Sequence, residues 1–207
     1  MFGIYLKVEV MIMVEITDKN IKGNKYNKLI EYLLGFCDTL VFQAPNFFKL
    51  FDDDNVDEYT KYEDVDFYID GGIDNFNDYK KQIERHVELI ADDILSKYED
   101  ITYYGNKCNY VLEVYVVKIS DNTHEFLKIC NSLYDWRYPQ LPEDLCFFTT
   151  GKCILETITH EKLCFIDVES VGENILRKMH LSFKNIPEDN EVLIINDRNR
   201  VERIKIM

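Results

Sequence analysis

The chain has 207 residues, 46% apolar and 14% aromatic, with only 8 Gly and 4 Pro; that profile argues against disorder and supplies enough chain to bury a core without disulfides. Asp and Glu number 38 against 24 Lys and Arg, a formal charge of −14, and such a field repels polyanions, which excludes direct binding to a nucleic-acid backbone. No run approaches the roughly 18 apolar residues of a membrane helix, so no membrane partner is expected.

Residues 4–16 alternate, with Ile4, Leu6, Val8, Val10, Ile12, Val14 and Ile16 on one side. A period of two predicts a strand with one buried face, long enough to require a bend or a break. Lys7, Glu9 and Glu15 interrupt this stretch and no small-residue cleavage site follows, so no secretory signal is expected. After a polar turn at 18–23, Asn24 is expected to cap a helix presenting Tyr26, Leu29, Ile30, Leu33, Leu34 and Cys37. Residues 39–42 predict a short buried strand that Pro45 stops.

Residues 51–78 stand apart in composition. Asp52, Asp53, Asp54, Asp57, Glu58, Glu63, Asp64, Asp66, Asp70, Asp74 and Asp78 face a single Lys61, so ten of the net negative charges fall here. The first half predicts a solvated loop. The second half, 65–69, alternates and predicts an edge strand with an acidic outer row, a device that also discourages unwanted pairing. An acidic loop or edge insertion at 51–74 within one domain over 1–207 is the expected organisation.

Residues 75–98 predict one helix with a stripe of Phe76, Tyr79, Ile83, Val87, Ile90 and Ile94. Residues 101–104 and 110–119 predict a hairpin around Gly105-Asn106. Asp121 or Asn122 caps a helix carrying Phe126, Leu127, Cys130, Leu133 and Tyr134, and residues 136–142 read as extended because each residue before a proline avoids the helical region. Residues 145–149, 153–159 and 162–167 predict strands, Ser170 to Glu173 a capping box opening a helix, and 192–206 a closing hairpin. The fold class expected is α+β, a largely antiparallel sheet with about four helices packed on it.

Glycine-rich phosphate loops are absent, and Asp52-Asp53-Asp54 lacks the glycine of a calcium loop. Asp64 and Asp66, at i and i+2, resemble the metal-binding strand of nucleotidyltransferases, without that family's upstream Gly motif. Cys37, Cys108, Cys130, Cys146, Cys153 and Cys164 sit in apolar or aromatic surroundings at irregular spacing, which predicts reduced, buried thiols and a cytoplasmic setting. Cys146, Cys153, His160 and Cys164 form a valid zinc set by type but not by spacing. No metal or cofactor is expected.

His160-Glu161 is the remaining chemical pair. At a strand end, His160 would act as a base or ligand beside Glu143 and Asp144. Trp136, Arg137 and Tyr138, flanked by Pro139 and Pro142, read as a rigid aromatic ledge of the kind that anchors interfaces.

The residues from Trp136 through Pro139, Leu141-Pro-Glu-Asp-Leu145, Phe147-Phe148 and Gly151 to His160-Glu161 resemble a group of bacterial proteins sharing a W-x-x-P-x-L-P-E-D-L-x-F-F…G…H-E pattern, with no established activity; that resemblance implies no catalytic residues. Leu141–Leu145 with Gly151 also resembles the core of the SMI1/KNR4-like immunity proteins, which implies an immunity or phage-defence role. The expectation is a non-enzymatic, acidic protein-binding domain that meets a protein with a basic surface through Asp52, Asp53, Asp54, Asp57, Glu58, Asp64, Asp66, Asp70, Trp136, Arg137 and Tyr138. The alternatives are a metal-dependent or His-based hydrolase built on His160 with Glu143, Asp144 or Glu161, and a DNA-mimic inhibitor.

Overall fold

A computed structural model describes residues 12–52, 55–60, 72–103, 106–186 and 191–205. Eleven strands and five α-helices occur among them, in the order β1 (Met13–Ile16), α1 (Asn24–Phe36), β2 (Thr39–Asp52), β3 (Asn55–Thr60), α2 (Gly72–Glu88), β4 (Ile94–Tyr103), β5 (Asn106–Lys118), α3 (Asp121–Leu127), β6 (Glu143–Thr149), β7 (Lys152–Ile158), β8 (Leu163–Asp167), α4 (Val168–Val171), α5 (Glu173–Lys178), β9 (Phe183–Asn185), β10 (Glu191–Ile195) and β11 (Val201–Lys205). The main sheet runs β4-β5-β2-β6-β7-β8-β1-β9, with β3 on β2 and the β10–β11 hairpin joined to β7. Every pairing among the described strands is antiparallel. The α+β class holds, with the sheet dominant. No described helix is long and apolar enough to cross a membrane.

Alternation along the central strands fills two separate cores. Leu40, Phe42 and Ala44 of β2, Tyr115 and Val117 of β5, and Leu145 and Phe147 of β6 face the helices, where Leu29, Leu33, Ile83 and Phe126 cover them. Val41, Val114, Val116, Cys146 and Phe148 face the other way, under Leu193 and Val201 of the β10–β11 hairpin. Polar ties hold that hairpin down: Tyr98 Oη accepts from Val201 N at 3.0 Å, Ser96 Oγ donates to the Asn199 carbonyl, and Arg203 pairs with Glu156 at 2.8 Å.

Gly151, in the β6–β7 turn, sits where the two layers meet. Its φ is +78°, its carbonyl accepts from Ile195 N at 2.8 Å, and an added Cβ would stand 3.1 Å from the Ile195 carbonyl oxygen. Gly151→Ala is therefore expected to cost about 1–2 kcal/mol, from left-handed strain plus this contact, read as a lower denaturation midpoint with an unchanged slope.

Several expectations are corrected. Asn24 does not cap α1: Gly23 does, at φ 57° and ψ −127°, without a side-chain bond, and its N–H donates to the Asn131 carbonyl. Pro45 does not stop β2, which continues to Asp52. The last residue of β2 that pairs with β6 is Gln43, so at Pro45 the strand has β5 alone beside it and a missing donor is tolerated. Residues 75–98 are not one helix. Ile90 and Ile94 keep helical spacing, but a 3-10 turn at Ala91–Asp93 breaks it, anchored by Ser120 Oγ donating to Asp93 Oδ2 at 2.6 Å. That same Ser120, rather than Asp121 or Asn122, caps α3, accepting from Asn122 N and Thr123 N. Ser170 forms no capping box. It lies inside α4, and its hydroxyl turns to Asp167. Residues 136–142 form a turn, not an extended run: Gln140 N and Leu141 N both donate to the Arg137 carbonyl, and the Tyr138–Pro139 peptide is cis.

The solvated loop expected early in the acidic segment is instead a hairpin, with Leu50, Phe51 and Asp52 opposite Thr60, Tyr59 and Asn55. β5 occupies one side of β2 along its length, so β3 lies on the side that β6 leaves free. The predicted edge strand at 65–69 falls outside the described residues, as does most of the predicted strand at 4–16, of which β1 is the described remainder.

Candidate functional site

Trp136 does not stand on a ledge. It follows a 3-10 turn at Leu133–Asp135 and is fully buried, with its indole N–H donating to Tyr26 Oη at 2.9 Å, which in turn donates to the Leu127 carbonyl at 2.9 Å. Tyr138 is half-buried, its ring edge-on to Tyr79 of α2 at 4.9 Å, and Arg137 is exposed. For Trp136 the docking ledge is thus corrected to a core anchor; Arg137 is exposed and Tyr138 in between. Of the acidic candidates, Asp52 ends β2, and Asp57 and Glu58 lie in β3. Asp53, Asp54, Asp64, Asp66 and Asp70 lie outside the described residues.

His160 and Glu161 occupy a 3-10 turn at Thr159–Glu161, both side chains more than half exposed, with Nε2 and Oε1 3.6 Å apart. Asp144 is brought to this turn, but to its backbone. Its Oδ1 accepts from Thr159 N at 2.5 Å and Thr159 Oγ1 at 2.8 Å, and its Oδ2 accepts from Gln43 Nε2 at 3.2 Å. Asp144 is 1% exposed and adopts φ +54° at the start of β6, where the pairing with β2 shifts register. Its carboxylate fastens the turn that carries His160; the imidazole itself meets Glu161 at the surface.

Glu143 points into a different cluster. Tyr138 N donates to its Oε1 at 3.1 Å. Burial, and then the adjacent Asp144 charge, push its carboxyl up to about 7, against weaker opposing pulls from the Tyr138 bond and Arg137. Tyr79 lies close by; burial and the Glu143 carboxyl hold its phenol well above the usual range. On β5, Tyr115 Oη donates to Glu113 Oε2 at 2.9 Å and Lys97 reaches the same oxygen at 2.9 Å. Ala44, Pro45, Asn46, Tyr79, Ile83 and Glu113 line a shallow pocket between β2, β5 and α2. A carboxyl raised in this way has the property a general acid needs.

A second buried carboxylate was not anticipated. Asp167 is fully buried at the end of β8; its Oδ2 meets Lys152 Nζ at 2.7 Å and accepts from Ser170 Oγ at 2.5 Å. Lys152 Nζ is 3.3 Å from Ser170 Oγ. The ion pair and the Ser170 hydroxyl join β7 to α4, so the trio reads as a tether between them. Gln43 and Asp167 share one sequence signal, a polar residue closing an apolar run. Gln43's partner lies 101 positions away and Asp167's charged partner, Lys152, 15 away, and neither leaves a local trace.

The zinc set is not assembled. Cys146 and Cys153 belong to the core under the β10–β11 hairpin, whereas Cys164 belongs to the helix-side core. Among the described residues no group of three or more His, Cys, Asp or Glu converges as metal ligands, and Cys37, Cys130, Cys146, Cys153 and Cys164 are free thiols. Burial pushes the Cys37 thiol up to about 12 and also raises those of Cys153 and Cys164, which makes them inert packing groups. Compared with family models, with curated proteins and with solved structures, the chain shows no match.

Proposed function

We propose that this chain is an acidic protein-binding domain whose partner presents a basic surface. The observation that carries this reading is where the charge sits: residues 51–78 hold ten of the net negative charges, and the described parts of that segment are the end of β2, with Asp52, the strand β3 paired to it, with Asp57 and Glu58, and the start of α2, with Asp74 and Asp78. Charge borne by a strand of the sheet starts from an ordered backbone, so its docking costs less entropy than that of a loop. It attracts a basic surface over the Debye length, about 8–10 Å at moderate salt, and so acts mainly on association rate.

The test is affinity capture from the source cells at low and high salt, followed by association kinetics of the captured protein with the wild type and with a variant carrying Asn or Gln at Asp52, Asp53, Asp54, Asp57 and Glu58. The variant is expected to associate about tenfold or more slowly at low salt, with a flattened salt dependence. Unchanged kinetics, or captured proteins lacking a basic face, would overturn the reading.

A further inference from the structure

β4 closes one end of the main sheet. β5 lies along one side of it, and among the described residues no strand lies along the other. Its pairing with β5 shifts register between Ile94 and Ser96 and again between Asp100 and Thr102. Between those irregularities Ser96, Lys97, Tyr98, Glu99 and Asp100 stand opposite Val116, Tyr115, Val114, Glu113 and Leu112 without a break. Irregularities of this kind guard a sheet edge, so the stretch open to a further strand is the five residues they bracket. Tyr98 is its centre; its ring turns to the core under the β10–β11 hairpin, where its hydroxyl accepts from Val201 N. Lys97 and Glu99 point to the opposite face, Lys97 lying over the Tyr115 ring at 4.9 Å, and their side chains are 48% and 45% exposed.

We propose that this edge pairs with the same edge of a second copy of the chain, β4 against β4, antiparallel and centred on Tyr98. Such a join has a two-fold axis, so residue i of one copy faces residue j of the other and j faces i. Residues directly opposite each other point to the same face of the sheet, which puts the axis through a residue rather than between two. An axis at Lys97 sets Lys97 against Lys97, and one at Glu99 sets Glu99 against Glu99; like charges directly opposite are destabilising. An axis at Tyr98 lets the whole five-residue stretch pair and sets Lys97 of each copy against Glu99 of the other. Within one chain Lys97 reaches Glu113 at 2.9 Å and Glu99 meets Lys49. An ammonium and a carboxylate each have more than one bonding position, so both can take the cross-copy partner as well. Main-chain hydrogen bonds supply the affinity of such a join, and the charge pairs fix its register. The charge of −14 on each copy opposes it, so the association is weak and reversible. This goes beyond the docking reading and does not depend on it.

The experiment is sedimentation equilibrium of the intact chain from about 1 to 500 µM, for the wild type, Lys97→Glu, Glu99→Lys and an equimolar mixture of the two variants. The wild type is expected to pass from the mass of one chain toward that of two across this range. Each variant alone sets like charges opposite each other at both positions, and is expected to dimerise at least about tenfold more weakly. In the mixture the acid introduced at 97 meets the base introduced at 99, and Glu99 of the first variant meets Lys97 of the second. Dimerisation is therefore expected to return to about the wild-type level, although every in-chain effect of the two substitutions remains. A wild type that keeps the one-chain mass throughout, single variants that dimerise as the wild type does, or a mixture no stronger than its components would overturn the proposal. Should either variant fail to fold, amide exchange of the wild type at the two ends of the concentration range decides. Slowing with concentration that is greatest at residues 96–100 supports the join, and no slowing there ends it.

Discussion

Replacing Trp136 with Ala is expected to lower the stability of this protein by about 3–5 kcal/mol, the range for deleting a large buried aromatic. Trp136 is fully buried and closes a file of rings: it lies 5.2 Å from Phe126 of α3, Phe126 stacks on Phe42 of β2 at 5.1 Å, and Phe42 stacks on Tyr115 of β5 at 5.0 Å. The cavity would open where the 3-10 turn, α3 and the sheet meet, and no described side chain can collapse into it without breaking that file. Trp136→Phe keeps most of the apolar volume but leaves Tyr26 Oη without the indole donor, at a cost of about 1–2 kcal/mol. Tyr26→Phe removes the same bond and the one to the Leu127 carbonyl, so the two substitutions should couple by about 1 kcal/mol in a double-mutant cycle. Urea denaturation followed by far-UV circular dichroism measures this, because Trp136 is the only Trp of the chain and its fluorescence goes with it. A loss below about 1 kcal/mol for Trp136→Ala would show that this side chain is not the keystone its burial implies.

That residue also marks the boundary of what the sequence made legible. Strands announced themselves where apolar residues alternate or run on unbroken between turn residues. Val14 and Ile16 follow a period of two, while residues 114–117 and the β6–β7 hairpin around Gly151 are short apolar runs buried on both faces and bounded by turn residues. Turn and cap chemistry was legible only in type. The region around Gly23 and the start of α3 read as helix entries, but the capping residue was settled by contacts from Asn131 and Asp93, far along the chain. Trp136 sits among Arg, Gln and Pro, the composition of a surface loop, and its burial depends on Phe126 and Tyr26, which no local pattern ties to it. Residues 90–94 show the same limit from the other side: their spacing fits a helix, and the edge of a sheet claims the last of them. In the candidate site, Glu143 and Asp144 were visible as residues near a strand end. Their division of labour was not, because adjacent acids read alike until one twists into the left-handed region and the other stays extended.

Asp144 carries the second large effect. Asp144→Ala strips the acceptor from three buried donors, Thr159 N, Thr159 Oγ1 and Gln43 Nε2. Stranding such donors costs about 1–3 kcal/mol each where no water enters, and an alanine at φ +54° adds about 1 kcal/mol of strain. A total loss of about 3–5 kcal/mol is expected. Asp144→Asn should cost far less, about 1 kcal/mol. Asn tolerates the left-handed region, its carbonyl oxygen can still receive the Thr159 donors, and Gln43 can turn its amide to offer the vacant Oε1 to the new NH₂ group. Asp144→Gly separates the two causes, since it relieves the backbone and still strands the donors; it should fall near the Ala variant if bonding dominates and near the Asn variant if strain does. Chemical denaturation ranks the three. Because Asp144 fastens the backbone of the turn that holds His160 and Glu161, the Ala and Gly variants should also shift the amide resonances of both residues while the Asn variant leaves them in place. An Asn variant as unstable as the Ala variant would mean that the negative charge, rather than the acceptor geometry, is what this corner of the sheet requires.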